Sequence, residues 1–233
     1  MLLSSRPYDQ RALKVERMKH HAVLFDLDGT LLDTLADLAD SMNAVLAEMG
    51  FPQHPRVDYR GFVGDGVRAL GVRALPAGRR DDDTVDDALE RMQVEYAKRW
   101  DNTTRPYPGV GELLDGLAGR GVKCAVLSNK PDEYTRLCVS RFLPDWRFEV
   151  VQGVSDGIAP KPDPGGALAI SERLAVPPEQ MLYLGDTDTD MQTAVAAGMF
   201  AVGAAWGFRT PRELREHGAA AIIDRPPDLL AML

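Results

Sequence analysis

Apolar positions along this chain fall into two regimes. Between about residues 36 and 104 they recur only at helical spacing, whereas from Tyr107 onward short apolar runs alternate with helical stretches. One further run, Ala22 to Phe25, stands ahead of both and ends abruptly in Asp26 and Asp28, followed by Gly29 and Thr30. A short unbroken run bounded by a Gly turn suits a strand buried on both faces, as in a parallel sheet. Leu35, Leu38, Met42, Val45, Leu46 and Met49 predict a helix over Thr34–Met49, with Thr34 capping its start and Gly50 stopping it. Gly61 to Gly66 is a Gly-rich break ahead of Val67 to Leu70, read as a turn or as a cradle for an anion at a helix N-terminus. Asp81 to Asp83 reads as a solvated helix start, Val85 to Trp100 as a helix, and Asp101 to Pro108 as a hinge.

The second regime is read in order. A helix starts at Pro108-Gly109 and runs through Leu117, and a strand covers Lys123 to Leu127, followed by Ser128-Asn129-Lys130-Pro131. Asp132 to Phe142 is a helix and Phe148 to Gln152 a strand; Lys161-Pro162-Asp163-Pro164 opens a helix through Leu174. Met181 to Leu184 is a strand ending in Gly185-Asp186, Met191 to Ala197 a helix, and Phe200 to Ala204 a strand. Pro211 to His217 is a helix, and Ala220 to Ile223 an edge strand. Such alternation predicts right-handed βαβ units and an α/β fold whose parallel sheet is flanked by helices. Met1 to His20 is polar, basic and aperiodic; it reads as an extension, with Met18 as an alternative start, or as a short helix.

Composition narrows the function classes. At 233 residues with 45% hydrophobic content, the chain can bury one large core or a core with an insert. A formal net charge of −8 argues against a nucleic-acid surface, and no apolar stretch is long enough for a membrane span or a signal-peptide core. Two cysteines cannot build a disulfide framework, and Cys124 reads as a buried thiol. A cytoplasmic protein is the expectation; a homodimer is compatible with the chain, which does not itself reveal oligomeric state.

Chemistry gathers on one edge. Asp26 with Asp28, Ser128 with Asn129, Lys161, and Asp186 with Asp190 all fall at strand ends or helix starts, and a parallel sheet places such ends together. Buried carboxylates need a partner, and a cation supplies one. Carboxylates are hard ligands suited to Mg2+, while lysine, hydroxyl and amide groups bind phosphate oxygens.

At these residues the chain resembles the haloacid dehalogenase superfamily of phosphatases. The matching motifs are Asp26-Leu27-Asp28-Gly29-Thr30, Ser128-Asn129, Lys161-Pro162, and Gly185-Asp186 followed by Asp190. Within it the chain is most similar to phosphoglycolate phosphatases, through Leu31 to Thr34, Val63 to Gly66, Tyr107 to Val110, Ser128-Asn129-Lys130 and Lys161 to Pro164. Pyrophosphatases, sugar-phosphate phosphatases and phosphosugar mutases share part of that pattern. The resemblance implies a Rossmann-like core of residues 20–35 and 105–233, an inserted helical cap of 36–104, and an N-terminal extension of 1–19. It implies Asp26 as nucleophile, ionised at neutral pH without tuning and kept so by Mg2+, and Asp28 as general acid and then base. Mg2+ is expected on the Asp26 carboxylate, the Asp28 carbonyl and Asp186, with Asp190 assisting and Asp188 as its rival. Gly29, Thr30, Ser128, Asn129 and Lys161 are expected to hold phosphate, and Arg68 of the cap a substrate carboxylate. The substrate expected is a small phosphorylated metabolite, with no nucleic-acid or membrane partner. A receiver-type signalling domain or a silent binding protein is the non-enzymatic alternative.

Overall fold

The computed structural model describes residues 20–155 and 157–233; the expectations for Met1 to Lys19 lie outside them. The elements are β1 (Ala22–Phe25), β2 (Leu32–Asp33), α1 (Leu35–Glu48), α2 (Tyr59–Phe62), α3 (Gly66–Ala74), α4 (Asp82–Ala97) and β3 (Arg105–Pro106). They continue with α5 (Val110–Ala118), β4 (Lys123–Pro131), α6 (Asp132–Phe142), β5 (Val150–Val154), α7 (Gly165–Leu174) and β6 (Met181–Gly185). The chain closes with α8 (Asp188–Ala196), β7 (Phe200–Ala204), α9 (Pro211–Glu216) and β8 (Ala221–Ile223).

Six parallel strands form the sheet in the order β5-β4-β1-β6-β7-β8. Side chains alternate across a strand, so each strand feeds two cores. Val23 and Phe25 join Val126, Leu184 and the apolar face of α5; Ala22 and Leu24 join Ala125, Tyr183, Ile170 of α7 and Met191 of α8. Both faces being covered explains why the β1 run is continuous rather than alternating. β1 sits between β4 and β6, where the connections depart to opposite sides, and open α/β sheets bind their ligands at such a switch point.

Between β2 and β3 the chain makes α1 to α4, which pack on a third apolar cluster including Met42, Leu46, Tyr59, Leu70, Met92 and Tyr96. Asp81 caps α4 by accepting from the Thr84 N–H, as expected of a solvated helix start. Two expectations fail here. The Thr34 hydroxyl caps nothing; it is buried with no partner among the described residues. Residues 101–108 are more than a hinge, because Arg105–Pro106 pairs antiparallel with Leu32–Asp33. A third difference lies in the sheet, where β4 does not stop at Leu127 but carries on through Pro131, which pairs with Val154 across a register irregularity.

Candidate active site

Register brings the acids together. Phe25 pairs with both Val126 and Leu184, so Asp26, the first residue past β1, lies beside Gly185, the last residue of β6. The Asp26 N–H still donates to the Leu184 carbonyl at 3.0 Å. Carboxylate oxygens of Asp26, Asp186 and Asp190 consequently lie within 4.8 Å of one another, all buried.

Lys161 neutralises part of this charge. Its ammonium, 2% exposed, donates to Asp26 Oδ1 and to Asp190 Oδ1, each at 2.7 Å. Burial alone would lower the Lys161 pKa, but the charges of Asp190 and Asp26 outweigh it and keep the ammonium protonated. One cation does not balance three acids. Burial, with Asp190 added, raises Asp26 despite the pull of Lys161; burial, Asp26 and Asp190 raise Asp186 well above the carboxylate range. Burial and the neighbouring acids thus work against the ionised form of Asp26, and a cation on the cluster would favour it, in line with the expectation that Mg2+ keeps Asp26 ionised.

Each acid has a different surrounding. Asp186 Oδ1 accepts from the Thr30 hydroxyl at 2.7 Å and Oδ2 from the Phe208 N–H at 2.8 Å, one donor per oxygen, so lone pairs remain for a ligand. A Cβ on Gly29 would lie 2.3 Å from Asp186 Oδ2, and one on Gly207 would lie 2.2 Å from Asp186 Cβ, so only glycine fits on either side. Gly29 also has φ +90°, the left-handed region. Asp190 is saturated. Its Oδ2 accepts from the Asp186 and Thr187 N–H groups and the Thr187 hydroxyl, while Oδ1 takes Lys161 and the Tyr183 hydroxyl. It braces the turn and aims Lys161, while remaining part of the acidic group that could hold a metal ion. Asp188, its sequence rival, faces away and pairs with Arg209 at 3.3 Å.

Other expected residues take different places. Thr30 spends its hydroxyl on Asp186, not on an open phosphate site. The Gly29 N–H donates to the Leu32 carbonyl. The Asn129 side chain is a clip: its amide donates to the Lys161 and Gly64 carbonyls and its Oδ1 accepts from the Lys161 N–H. Ser128 is buried beside it, lining a cavity together with Asp26 and Asp28. Arg68 lies outside that cavity, exposed and paired with Asp82 and Asp86 of α4. Its position on the outer side of α3 explains why it misses the site: the helix turns Gly66, Val67 and Leu70 inward instead.

Three features were given no role in the sequence expectations, although Lys130 belongs to a motif that carries the resemblance. Lys130 is 3% exposed and donates to both Asp28 oxygens, at 3.0 and 3.1 Å. Burial would lower it, but the Asp28 charge raises it. Tyr96 of α4 lies under its ammonium, 4.7 Å from ring centroid to Nζ. The segment Trp206 to Arg209 grips both sides of the site. The Trp206 indole donates to the Thr30 carbonyl, Phe208 inserts among the helical cluster, and Arg209 donates to the Arg60 and Val63 carbonyls. Its signal in the sequence is weak, one aromatic pair around a glycine just past the β7 run.

A family model described as haloacid dehalogenase-like hydrolase matches residues 23–204. Phosphoglycolate phosphatase of Pseudomonas syringae pv. syringae is 35% identical over 207 residues, covering 87% of this chain and 75% of that protein. Phosphoglycolate phosphatase of Haemophilus influenzae is 32% identical over 215 residues, covering 90% and 96%. Among solved structures, one from Lactobacillus delbrueckii subsp. bulgaricus matches with TM-score 0.87 at 32% identity, covering 93% of this chain and 99% of that one.

Proposed function

This chain belongs to the haloacid dehalogenase-like hydrolase family, and from that membership we propose a divalent-cation-dependent phosphatase that hydrolyses 2-phosphoglycolate through an aspartyl-phosphate. The observation that supports it most is the convergence of Asp26, Lys161 and Asp186 beside Asp28 at the switch point of the sheet. The names of the relatives supply the substrate.

The Asp26 carboxylate attacks phosphorus, a P–O bond to Asp26 forms, and the bond to the leaving oxygen breaks. Asp28 gives that oxygen a proton, then takes one from the water that cleaves the acyl phosphate. Lys161, held straight by Asp190, neutralises the transferring oxygens together with the Ser128 hydroxyl and the backbone around Asn129. A Mg2+ ion fits the Asp26 carboxylate, the Asp28 carbonyl and the open lone pairs of Asp186. Bound there, it supplies the positive charge that three crowded acids lack. Residues 36–104 act as the cap, excluding water from this chemistry.

Release of phosphate from an aryl phosphate, with Mg2+ and then with EDTA, tests the reading. Activity should vanish in chelator and return with Mg2+, and full activity in chelator would refute the metal role of Asp186. Asp26→Asn should abolish turnover in a folded protein; activity within about tenfold of the parent sinks the nucleophile. A panel of phosphoglycolate, pyrophosphate, sugar phosphates and nucleotides then checks the substrate.

A further inference from the structure

The helical insertion and the core enclose a cavity of about 400 Å³. Its floor holds Asp26 and Asp28, and the opposite wall is largely apolar, with Val63, Leu70 and Met92. Lys130 is the only cationic side chain among the described residues that line it. Two observations make this lysine more than a counter-ion. It donates to both Asp28 oxygens, at 3.0 and 3.1 Å, and lines the same cavity as Asp26 and Asp28, so it adjoins the acid that would protonate the leaving oxygen. Next to it, Tyr96 from the insertion lines the same cavity with a buried hydroxyl that lies beside the Lys130 ammonium and finds no acceptor for its own proton among the described residues. A tyrosine hydroxyl is a donor, an ammonium carries three donors, and an anion is the ligand that uses both. Lys130 has already lost its water, so its attraction for a second carboxylate is little screened.

We propose that Lys130 and Tyr96 form the subsite for the charged end of the leaving group, a carboxylate bonded directly to the ester carbon. The proposal rests on the phosphatase reading and adds to it the two side chains that would recognise the carboxylate of a short hydroxy-acid phosphate. It places recognition at the junction of β4 with α4, where the core supplies the cation and the insertion supplies the hydroxyl.

The test is steady-state kinetics at saturating Mg2+ on 2-phosphoglycolate and on 2-hydroxyethyl phosphate, an ester of similar size with no carboxylate. Lys130→Gln leaves Asp28 without its cation, so both substrates should slow. The ratio of kcat/KM between them should nevertheless fall by about tenfold or more, chiefly through KM for phosphoglycolate. Equal losses on both substrates would overturn the proposal and leave Lys130 as a neutraliser of Asp28. Tyr96→Phe keeps the ring and removes only the hydroxyl. It should lower the same ratio about threefold or more while leaving Tm of the ligand-free protein equal or higher, because the lost proton had no acceptor. An unchanged ratio in Tyr96→Phe overturns the shared subsite, even where Lys130→Gln does not fold. A parent enzyme that prefers neither ester also overturns it while keeping the phosphatase reading; a parent that releases phosphate from no ester sinks both.

Discussion

Thr30 reaches across 156 positions of sequence to give its hydroxyl to Asp186. That contact gives Thr30 a role that can be measured. Thr30→Val deletes a donor that orients a metal-site carboxylate, so the Mg2+ concentration giving half-maximal activity should rise roughly tenfold, with a smaller change in kcat at saturation. An unchanged Mg2+ requirement would mean that Phe208 alone positions Asp186. Asp28→Asn belongs to this scale as well. Esters with alkyl leaving groups should lose more than aryl phosphates, whose oxygen departs without a proton, and a uniform loss would remove Asp28 from the proton transfer. Asp26, Asp28, Lys161 and Asp186 were legible in the sequence because carrying an acid or an amine into a buried sheet edge is costly unless a ligand or an opposite charge meets it there. Thr30, Gly29 and Asn129 were assigned to phosphate through the family resemblance, and the partners of the Thr30 and Asn129 side chains, Asp186, Lys161 and Gly64, could not be read because spacing along the chain does not encode contacts so remote.

At the scale of elements, the helices between β2 and β3 are tied down by one carboxylate. Asp37, in the first turn of α1, accepts hydrogen bonds from the N–H and hydroxyl groups of both Thr103 and Thr104. Burial would raise its pKa, but these donors outweigh burial and hold it below the ordinary carboxylate value of 3.8. A carboxyl depressed by folding stabilises the protein above its unfolded pKa and loses that stabilisation as pH falls through the folded one. Asp37 therefore adds stability throughout neutral pH and stops doing so only below about pH 4. Asp37→Ala should cost roughly 2–4 kcal/mol at pH 7 by urea unfolding, the cost of several buried donors left unpaired, and the cost should shrink as pH falls below about 4. A cost independent of pH would show that the hydroxyls find other acceptors. The helical spacing of α1 was plain in the sequence, and so was the alternation of strands and helices. The β2–β3 ribbon was not, since two-residue strands leave no period to detect. The extension of β4 through Pro131 was hidden for another reason, because Ser128-Asn129-Lys130-Pro131 has turn composition and stays extended only through its pairing with β5.

Over the whole molecule, the segment after β7 couples the two halves. Phe208 gives its N–H to Asp186 and its ring to the helical cluster, and Arg209 reaches from Asp188 to the carbonyls of Arg60 and Val63. No pattern in the sequence announces such a clamp, because its acceptors are backbone atoms that every residue carries. Arg209→Ala should speed amide exchange over residues 59–66 without touching the sheet, and should lower kcat/KM for small substrates that depend on a closed cavity. Unchanged exchange in that segment would show that Phe208 alone holds the insertion. The choice of backbone carbonyls has a further consequence. The insertion's side chains can diverge freely under selection while the latch keeps its acceptors, so long as the peptide path near residues 60–63 is preserved. Its two ends also leave the core side by side, with Asp33 paired to Arg105. Together these predict that the stretch between Asp33 and Arg105 can be replaced by another helical segment, grafted at one paired stem, without disturbing the parallel sheet.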